Sequence, residues 1–321
     1  MTKRLRVAVL GLGPAGRQLH LPSLRRLRRV EVAIACDPDP GARRAVSGIP
    51  TSSDPDDALA PDVDAVVVAT PPHTHADLAR RAVRAGKHVY LEKPMATDLE
   101  DALRLLEEVR SSDRVLQMGF AYRHHPLWRR VRRLVQRGRL RPPLHASGRF
   151  SSPFPGAGWD APIVTFSIHH LDLLTWLLGA APAEIKADRD GTLEAFWEGG
   201  THLRGVYVAD APSDRVELSH GKSEVIVDRF SGTRLVGRGI RLGAAGLPVP
   251  GLVRVRVLRS DWERAFEFAM GGFVSSVLRG SPASPSAADG VAAVAMSEAV
   301  LRSLAAGGGV PVTVPQMGGP K

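Results

Sequence analysis

Gly11-Leu12-Gly13-Pro14-Ala15-Gly16 sets three glycines at the spacing G-x-G-x-x-G, directly after an apolar run and ahead of a helical pattern. A turn of this kind can cradle a pyrophosphate. Gly11 permits the tight turn, Gly13 lets the backbone approach the phosphates, and Gly16 allows the helix to pack closely on the strand. Free backbone N–H groups and the positive dipole end at the helix start favour the negative charge, so the cradle runs through Pro14 and Ala15 as well. Asp37 follows 21 residues after Gly16, at the end of the second apolar run, where a carboxylate can accept hydrogen bonds from an adenosine ribose. A carboxylate repels a 2′-phosphate, which favours NAD over NADP, while Arg43 and Arg44 keep NADP open. Lys93 lies just past another apolar run, between Glu92 and Pro94, close to where a doubly wound sheet binds its ligands. The histidine pairs at 73/75, 124/125 and 169/170 lack carboxylate or thiolate companions at ligand spacing, so no metal is expected.

Positioning these residues takes an alternation of short buried strands and helices. Leu5 to Leu10, Val30 to Cys36, Val63 to Ala69, His88 to Leu91 and Val115 to Phe120 are the apolar runs of a parallel sheet. Helical patterns through Leu19–Leu27, Ala76–Ala85 and Leu99–Val109 separate them, which predicts right-handed crossovers in an α/β domain. After about residue 120 the texture changes. Thr201–Val208, Arg215–Leu218, Lys222–Val227 and Leu252–Leu258 are strand-like, and helices return at Trp262–Leu278 and Ala288–Ala305 before a short strand-like end at Val310–Val314. The expected fold is an N-terminal Rossmann domain, a doubly wound parallel sheet over 1–120. A C-terminal α+β domain with an open-faced, mostly antiparallel sheet follows over 121–321.

The chain of 321 residues carries a net charge of +10 with a single cysteine, Cys36. The densest basic stretch, Trp128 to Arg141, alternates apolar and arginine positions at helical spacing and is expected to be an amphipathic helix with a solvated face, not a nucleic-acid site. No apolar stretch is long enough to span a membrane, and the apolar start is broken at once by Gly11, Gly13 and Pro14. A lone cysteine excludes an internal disulfide, and a cytoplasmic location is expected.

Three further runs carry a resemblance. "VVVATPPHTHADLARRAVRAGKHVYLEKPMATDLEDA" (Val66 to Ala102), "GFAYRHHP" (Gly119 to Pro126) and "HHLDLLTWLLG" (His169 to Gly179), together with the glycine motif, closely resemble the glucose–fructose oxidoreductase/inositol dehydrogenase (Gfo/Idh/MocA) family. The resemblance implies NAD(P)-dependent interconversion of alcohol and ketone on a sugar, an inositol or a nucleotide-sugar-like substrate held between the two domains. It implies a homodimer or homotetramer built through the open sheet face. Lys93 is implied as the residue facing the reacting oxygen, where an ammonium stabilises developing alkoxide charge. His169 is implied as the general base, and a Lys93–Pro94 bond in cis is implied too.

Thr70, Pro71, His75 and Glu92 fall where the family packs against the cofactor, although His75 also suits an ordinary helix start. Tyr122 and Arg123 match positions that meet substrate or nicotinamide; an ion pair is the other reading of Arg123. Trp159 could line the substrate cleft or pack within its loop. The family writes the His169 segment D-x-G-x-H-x-x-D, and here Thr165 stands at the first acidic position and Ser167 at the glycine. The missing charge would make His169 a weaker base, or one that shares its work with Lys93. Asp172 would orient His169 or serve packing, and His170, one helical step away, ranks behind His169 as a substrate contact. Two alternatives follow from Thr165: a dinucleotide-binding sensor or regulator without chemistry, and an NAD-recycling lyase or glycosidase.

Overall fold

In the computed structural model, residues 4–153, 162–221, 223–229, 234–237 and 260–315 are described. The first sheet is built from β1 (Leu5–Leu10), β2 (Val30–Cys36), β3 (Thr51–Ser52), β4 (Ala65–Val68), β5 (His88–Leu91) and β6 (Leu116–Met118), in the spatial order β3-β2-β1-β4-β5-β6. Every pairing in it is parallel. The order reverses direction between β1 and β4, so the loops leaving these two strands diverge at the sheet's topological switch point. Helices α1 (Leu21–Arg26), α2 (Pro40–Arg44), α3 (His75–Arg84) and α4 (Leu99–Arg110) supply the crossovers. Asp39 caps α2 by accepting from Gly41 and Ala42, and Asp98 caps α4 by accepting from Asp101.

The second sheet comprises β7 (His145–Ser151), β8 (Glu184–Ala187), β9 (Thr192–Phe196), β10 (His202–Val208), β11 (Ser213–His220), β12 (Ser223–Asp228), β13 (Arg234–Gly237) and β14 (Val310–Pro311), ordered β13-β12-β11-β7-β10-β9-β8-β14. Its pairings are antiparallel except for β7 with β10, which run parallel from His145↔His202 to Ser151↔Val208. The sheet is thus mostly antiparallel, as the sequence pattern predicts, although β7, β8, β9 and β13 are not among the expected strands. The expected strand at Leu252–Leu258 lies outside the described residues. Of the helices in this half, α5 (Pro126–Gln136) has its basic face outward, and α6 (Pro162–Leu178) packs on β7, β9 and β10. The chain then forms α7 (Ser260–Arg279) and α8 (Ala287–Ala306).

Two compact units result, and they are not the simple halves expected at residue 120. One comprises residues 1–124, 263–294 and 317–321; the other comprises 125–262 and 295–316. The chain returns to the first unit because Ala269, Met270, Phe273 and Val274 of α7 are buried in one cluster with Leu5, Val7 and Val9 of β1 and Tyr90 of β5. The apolar face of α7 is thus buried against the sheet in one cluster with Leu21 and Leu24 of α1. Gln117 of β6 donates to the Ala269 carbonyl at 2.8 Å, which fixes the helix along the sheet.

Candidate active site

The glycine turn follows β1 directly. Gly11 has φ +90°, and a Cβ there would sit 2.4 Å from the Ala69 carbonyl oxygen at the end of β4. At Gly16 a Cβ would fall 1.9 Å from the Gly11 oxygen. Both glycines are therefore required by the protein's own packing. Gly13 differs. It is exposed, has no positive φ, and a Cβ on it would meet no protein atom within 4 Å. The bare backbone at Gly13 borders open space at the switch point, as a phosphate cradle requires. From Pro14 the chain enters a π-helical turn, Ala15–His20, continued by α1. Asp37, half-buried after β2, accepts from the Leu12 N–H through Oδ2 at 2.7 Å and from the Asp39 N–H through Oδ1 at 2.8 Å. Its carboxylate is thus tied to the glycine turn. Arg43 donates to the Asp37 and Pro38 carbonyls at 2.6 and 2.9 Å, which brings a guanidinium beside the same turn.

At the end of β5, Glu92 and Lys93 lead into a cis Lys93–Pro94 bond. Glu92 faces inward. His20 Nε2 lies 2.8 Å from Glu92 Oε1, and the Lys93 N–H donates to Oε2 at 3.1 Å. Burial alone would raise the Glu92 carboxyl, but the hydrogen bond and charge of His20, followed by the charge of Lys93, outweigh it and hold Glu92 below the usual carboxylate range. Burial lowers the Lys93 ammonium from its ordinary value, against the opposing charge of Glu92. Lys93 still touches solvent on part of its surface.

The other predicted cofactor residues divide. Thr70 and Pro71 follow β4 beside Gly11, with the Thr74 hydroxyl donating to Thr70 Oγ1 at 2.7 Å. His75 is 1% exposed, and its Nδ1 and Nε2 face the Pro94 and Thr70 carbonyls at 2.6 and 2.8 Å. Both polar atoms are thereby committed to the backbone, so His75 ties two loops together where a cofactor contact was expected. Tyr122 and Arg123 are buried just after β6. Arg123 Nη1 donates to Asp289 Oδ1 of α8 at 2.8 Å, the ion-pair reading of that residue.

In the second unit, α6 carries Thr165, His169 and Asp172 at i, i+4 and i+7, on one stripe. Thr165 and His169 are half-buried, while Asp172 is 1% exposed. The His169 ring stacks on Phe150 of β7 with centroids 5.2 Å apart and planes within 4°. His170 points the other way. It is fully buried on the sheet, with Nδ1 3.1 Å from the Tyr207 hydroxyl and Nε2 3.4 Å from Asp214 Oδ1. A side chain at Gly148 would strike it at 2.7 Å. His170 is an internal anchor of α6, not the substrate contact expected. Trp159 lies outside the described residues.

Residues 5–120 match the GFO_IDH_MocA family, described as an oxidoreductase family with an NAD-binding Rossmann fold. Inositol 2-dehydrogenase 3 of Saccharopolyspora erythraea is 31% identical over 97% of this chain and 96% of its own. The chain belongs to the Gfo/Idh/MocA family. It is an NAD-dependent dehydrogenase acting on CH–OH groups. Solved structures agree on the fold. Myo-inositol 2-dehydrogenase from Lactobacillus plantarum superposes with TM-score 0.80 at 20% identity, covering 97% of this chain and all of that one. Scyllo-inositol dehydrogenase from Lactobacillus casei, solved with NAD(H) and scyllo-inositol, gives 0.78 at 19% identity, covering 97% and 99%.

The residues of this Gfo/Idh/MocA member fit the cofactor. Gly13 leaves open a place in the turn that protein atoms do not fill, and the carboxylate of Asp37 is fixed on the neighbouring Leu12 N–H. The residues that would hold NAD are Gly11 to Gly16, Asp37, Thr70 and Pro71. Among the described residues, no group of His, Cys, Asp or Glu is arranged to hold a metal ion, and no helix is long and apolar enough to cross a membrane. Sequence reasoning missed His20, Gly119 and Asp289. Each has its role only through a distant partner, and no local pattern marks such a residue.

Proposed function

We propose that this family member interconverts a secondary alcohol and a ketone on a cyclic polyol or sugar, with an inositol-like ring as the first candidate. Support comes above all from the near full-length likeness to an inositol 2-dehydrogenase. NAD, when bound, accepts or supplies the hydride. Lys93 stabilises the substrate oxygen. A half-buried ammonium acts in a poorly screened setting, where it favours alkoxide character on oxidation and polarises the carbonyl in the reverse direction. His169 takes up or returns the hydroxyl proton, and its stacking on Phe150 limits the ring to one plane. Thr165 leaves His169 without the acid of the family motif, so Asp172 is the remaining carboxylate on its stripe.

Turnover is followed by absorbance at 340 nm over a panel of inositols, sugars and their ketones. Lys93→Ala is expected to lower kcat at least a hundredfold, about 2.7 kcal/mol. NAD affinity should stay within about threefold, because the glycine turn is untouched. Unchanged turnover in that variant would refute the role of Lys93. NAD binding without turnover on the whole panel would replace the reading by the sensor alternative.

A further inference from the structure

We propose that the buried cluster of His170, Tyr207 and Asp214 sets the rotation of α6 about its own axis and thereby holds the His169 ring in its working orientation. Helix α6 has no exposed residue from Pro162 to Leu178, and most of its side chains are apolar. Apolar burial is non-directional, so a helix buried all round can fill its place in more than one rotational setting. A buried polar group with fixed partners removes that freedom, as a single polar residue does for the register of a coiled coil.

His170 finds its partners on three neighbouring strands, β11, β7 and β10 in that order across the sheet. Its Nδ1 meets the Tyr207 hydroxyl of β10 at 3.1 Å, and its Nε2 meets Asp214 Oδ1 of β11 at 3.4 Å. Between them the sheet makes room. Gly148 of β7 pairs with Gly205 of β10, and a Cβ at either would strike the cluster, 2.7 Å from His170 Nδ1 and 2.4 Å from the Tyr207 hydroxyl. A recess bounded by two glycines thus receives the imidazole, and a helix turned about its axis would withdraw the ring from it. Nε2 donates to the Asp214 carboxylate, while the Tyr207 hydroxyl can donate to Nδ1 or accept from it, so the seat suits the neutral ring and the imidazolium alike. Phe150 of β7 links this seat to His169. Its ring lies along α6, stacked on Phe166 at 4.9 Å and on His169 at 5.2 Å, and it meets His170 edge-on at 6.1 Å. His169 is one residue from His170, about 100° of helix, so a rotation that unseats His170 also slides His169 off Phe150.

With His169 moving the substrate proton, the reading on which this inference rests, His170 is a positioning residue that acts through its neighbour. The chain has eleven histidines, so labelling histidine with ¹³C at Cε1 gives a resolvable set. His169→Gln assigns the His169 signal, and Phe150→Leu shows where that signal falls without the stacked ring. His170→Leu keeps much of the bulk and removes both polar contacts. It is expected to move the His169 signal toward the unstacked position and to lower kcat about tenfold, with the Kd for NAD within about threefold of the parent. His170→Gln, which offers one donor and one acceptor, should bring both readings back toward the parent. Leu174→Ala loosens the same buried helix without removing a polar contact, and it should leave the His169 signal and kcat near the parent. A His169 signal that stays in place in His170→Leu, or that moves equally in Leu174→Ala, would overturn the proposal. If His170→Leu does not fold, Tyr207→Phe removes the hydroxyl alone and should move the signal the same way; an unmoved signal there overturns the proposal too. If the signal moves while kcat holds, the proton-moving role of His169 fails and the anchoring of α6 stands.

Discussion

Gly13→Ala separates what the glycine turn does for the fold from what it does for the cofactor. The added methyl meets no protein atom within 4 Å, and the backbone at Gly13 is not in the left-handed region. Such a change reduces the freedom of the unfolded chain and should stabilise the ligand-free protein by about 0.4–1 kcal/mol. For a unit of this size that is a rise in Tm of about 1–4 °C. The same methyl projects into the space where a pyrophosphate must approach the backbone. At NAD concentrations a hundred times Kd, binding adds about 2.7 kcal/mol to the parent; a tenfold loss of affinity leaves about 1.4 kcal/mol, and a hundredfold loss about 0.4 kcal/mol. The NAD-induced rise in Tm should therefore fall to half or less. Scanning calorimetry with and without NAD, with titration calorimetry for Kd, reads both effects. A ligand-free variant destabilised by more than about 1 kcal/mol would show that the space is not open. An undiminished NAD response would show that the cofactor does not approach Gly13.

Asp37→Ser should raise the preference for NADP over NAD at least tenfold, since it removes the repelling carboxylate while Arg43 stays at the turn; the ratio of kcat/KM for the two cofactors measures it. Arg123→Met should cost about 2–3 kcal/mol in urea denaturation at pH 7, less than a fully buried pair because nearly a third of the Asp289 side chain is exposed. Burial would raise the Asp289 carboxyl, but Arg123 and the Ser286 hydrogen bonds hold it below its usual range, so its stabilisation is present at neutral pH and lost as pH falls through that lowered value. The deficit of Arg123→Met should accordingly persist to about pH 4 and shrink only below it, and an equal deficit at pH 7 and at about pH 3 would mean lost packing instead. Phe273→Ala should destabilise the NAD-binding unit by about 3–5 kcal/mol, although it lies far along the chain from the sheet it covers. A loss confined to the second unit in a two-transition melt would contradict that packing.

The Rossmann sheet was legible because its order is local. Apart from the two-residue β3 (Thr51–Ser52), its strands are short, mainly apolar runs, and Gly11, Gly13 and Gly16 mark one junction whose geometry few other sequences need. The second sheet was less so. His145–Ser151 reads HASGRFS, with no apolar alternation, yet it is a central strand between β10 and β11, its backbone pairing doing what its side chains do not announce. The apolar helix α6 could equally have been a buried strand by composition. The return of α7 to the first unit was hidden, because an amphipathic face does not name the surface it covers. At the site, Lys93 and His169 stood out through resemblance. The commitment of His75 to two carbonyls, of His170 to Tyr207 and Asp214, and of Glu92 to His20 are long-range matches of donor to acceptor, and sequence spacing does not carry them.

The packing of α7 against β1 and β5 has a consequence during synthesis. Roughly 170 residues separate the last strand of the dinucleotide-binding sheet from the end of the segment that completes its unit. At ribosomal rates the nascent sheet waits about ten to thirty seconds with part of one apolar face uncovered, in reach of holding chaperones and of other nascent chains. A ribosome stalled before α7 would therefore display a sheet whose core cluster lacks Ala269, Met270, Phe273 and Val274.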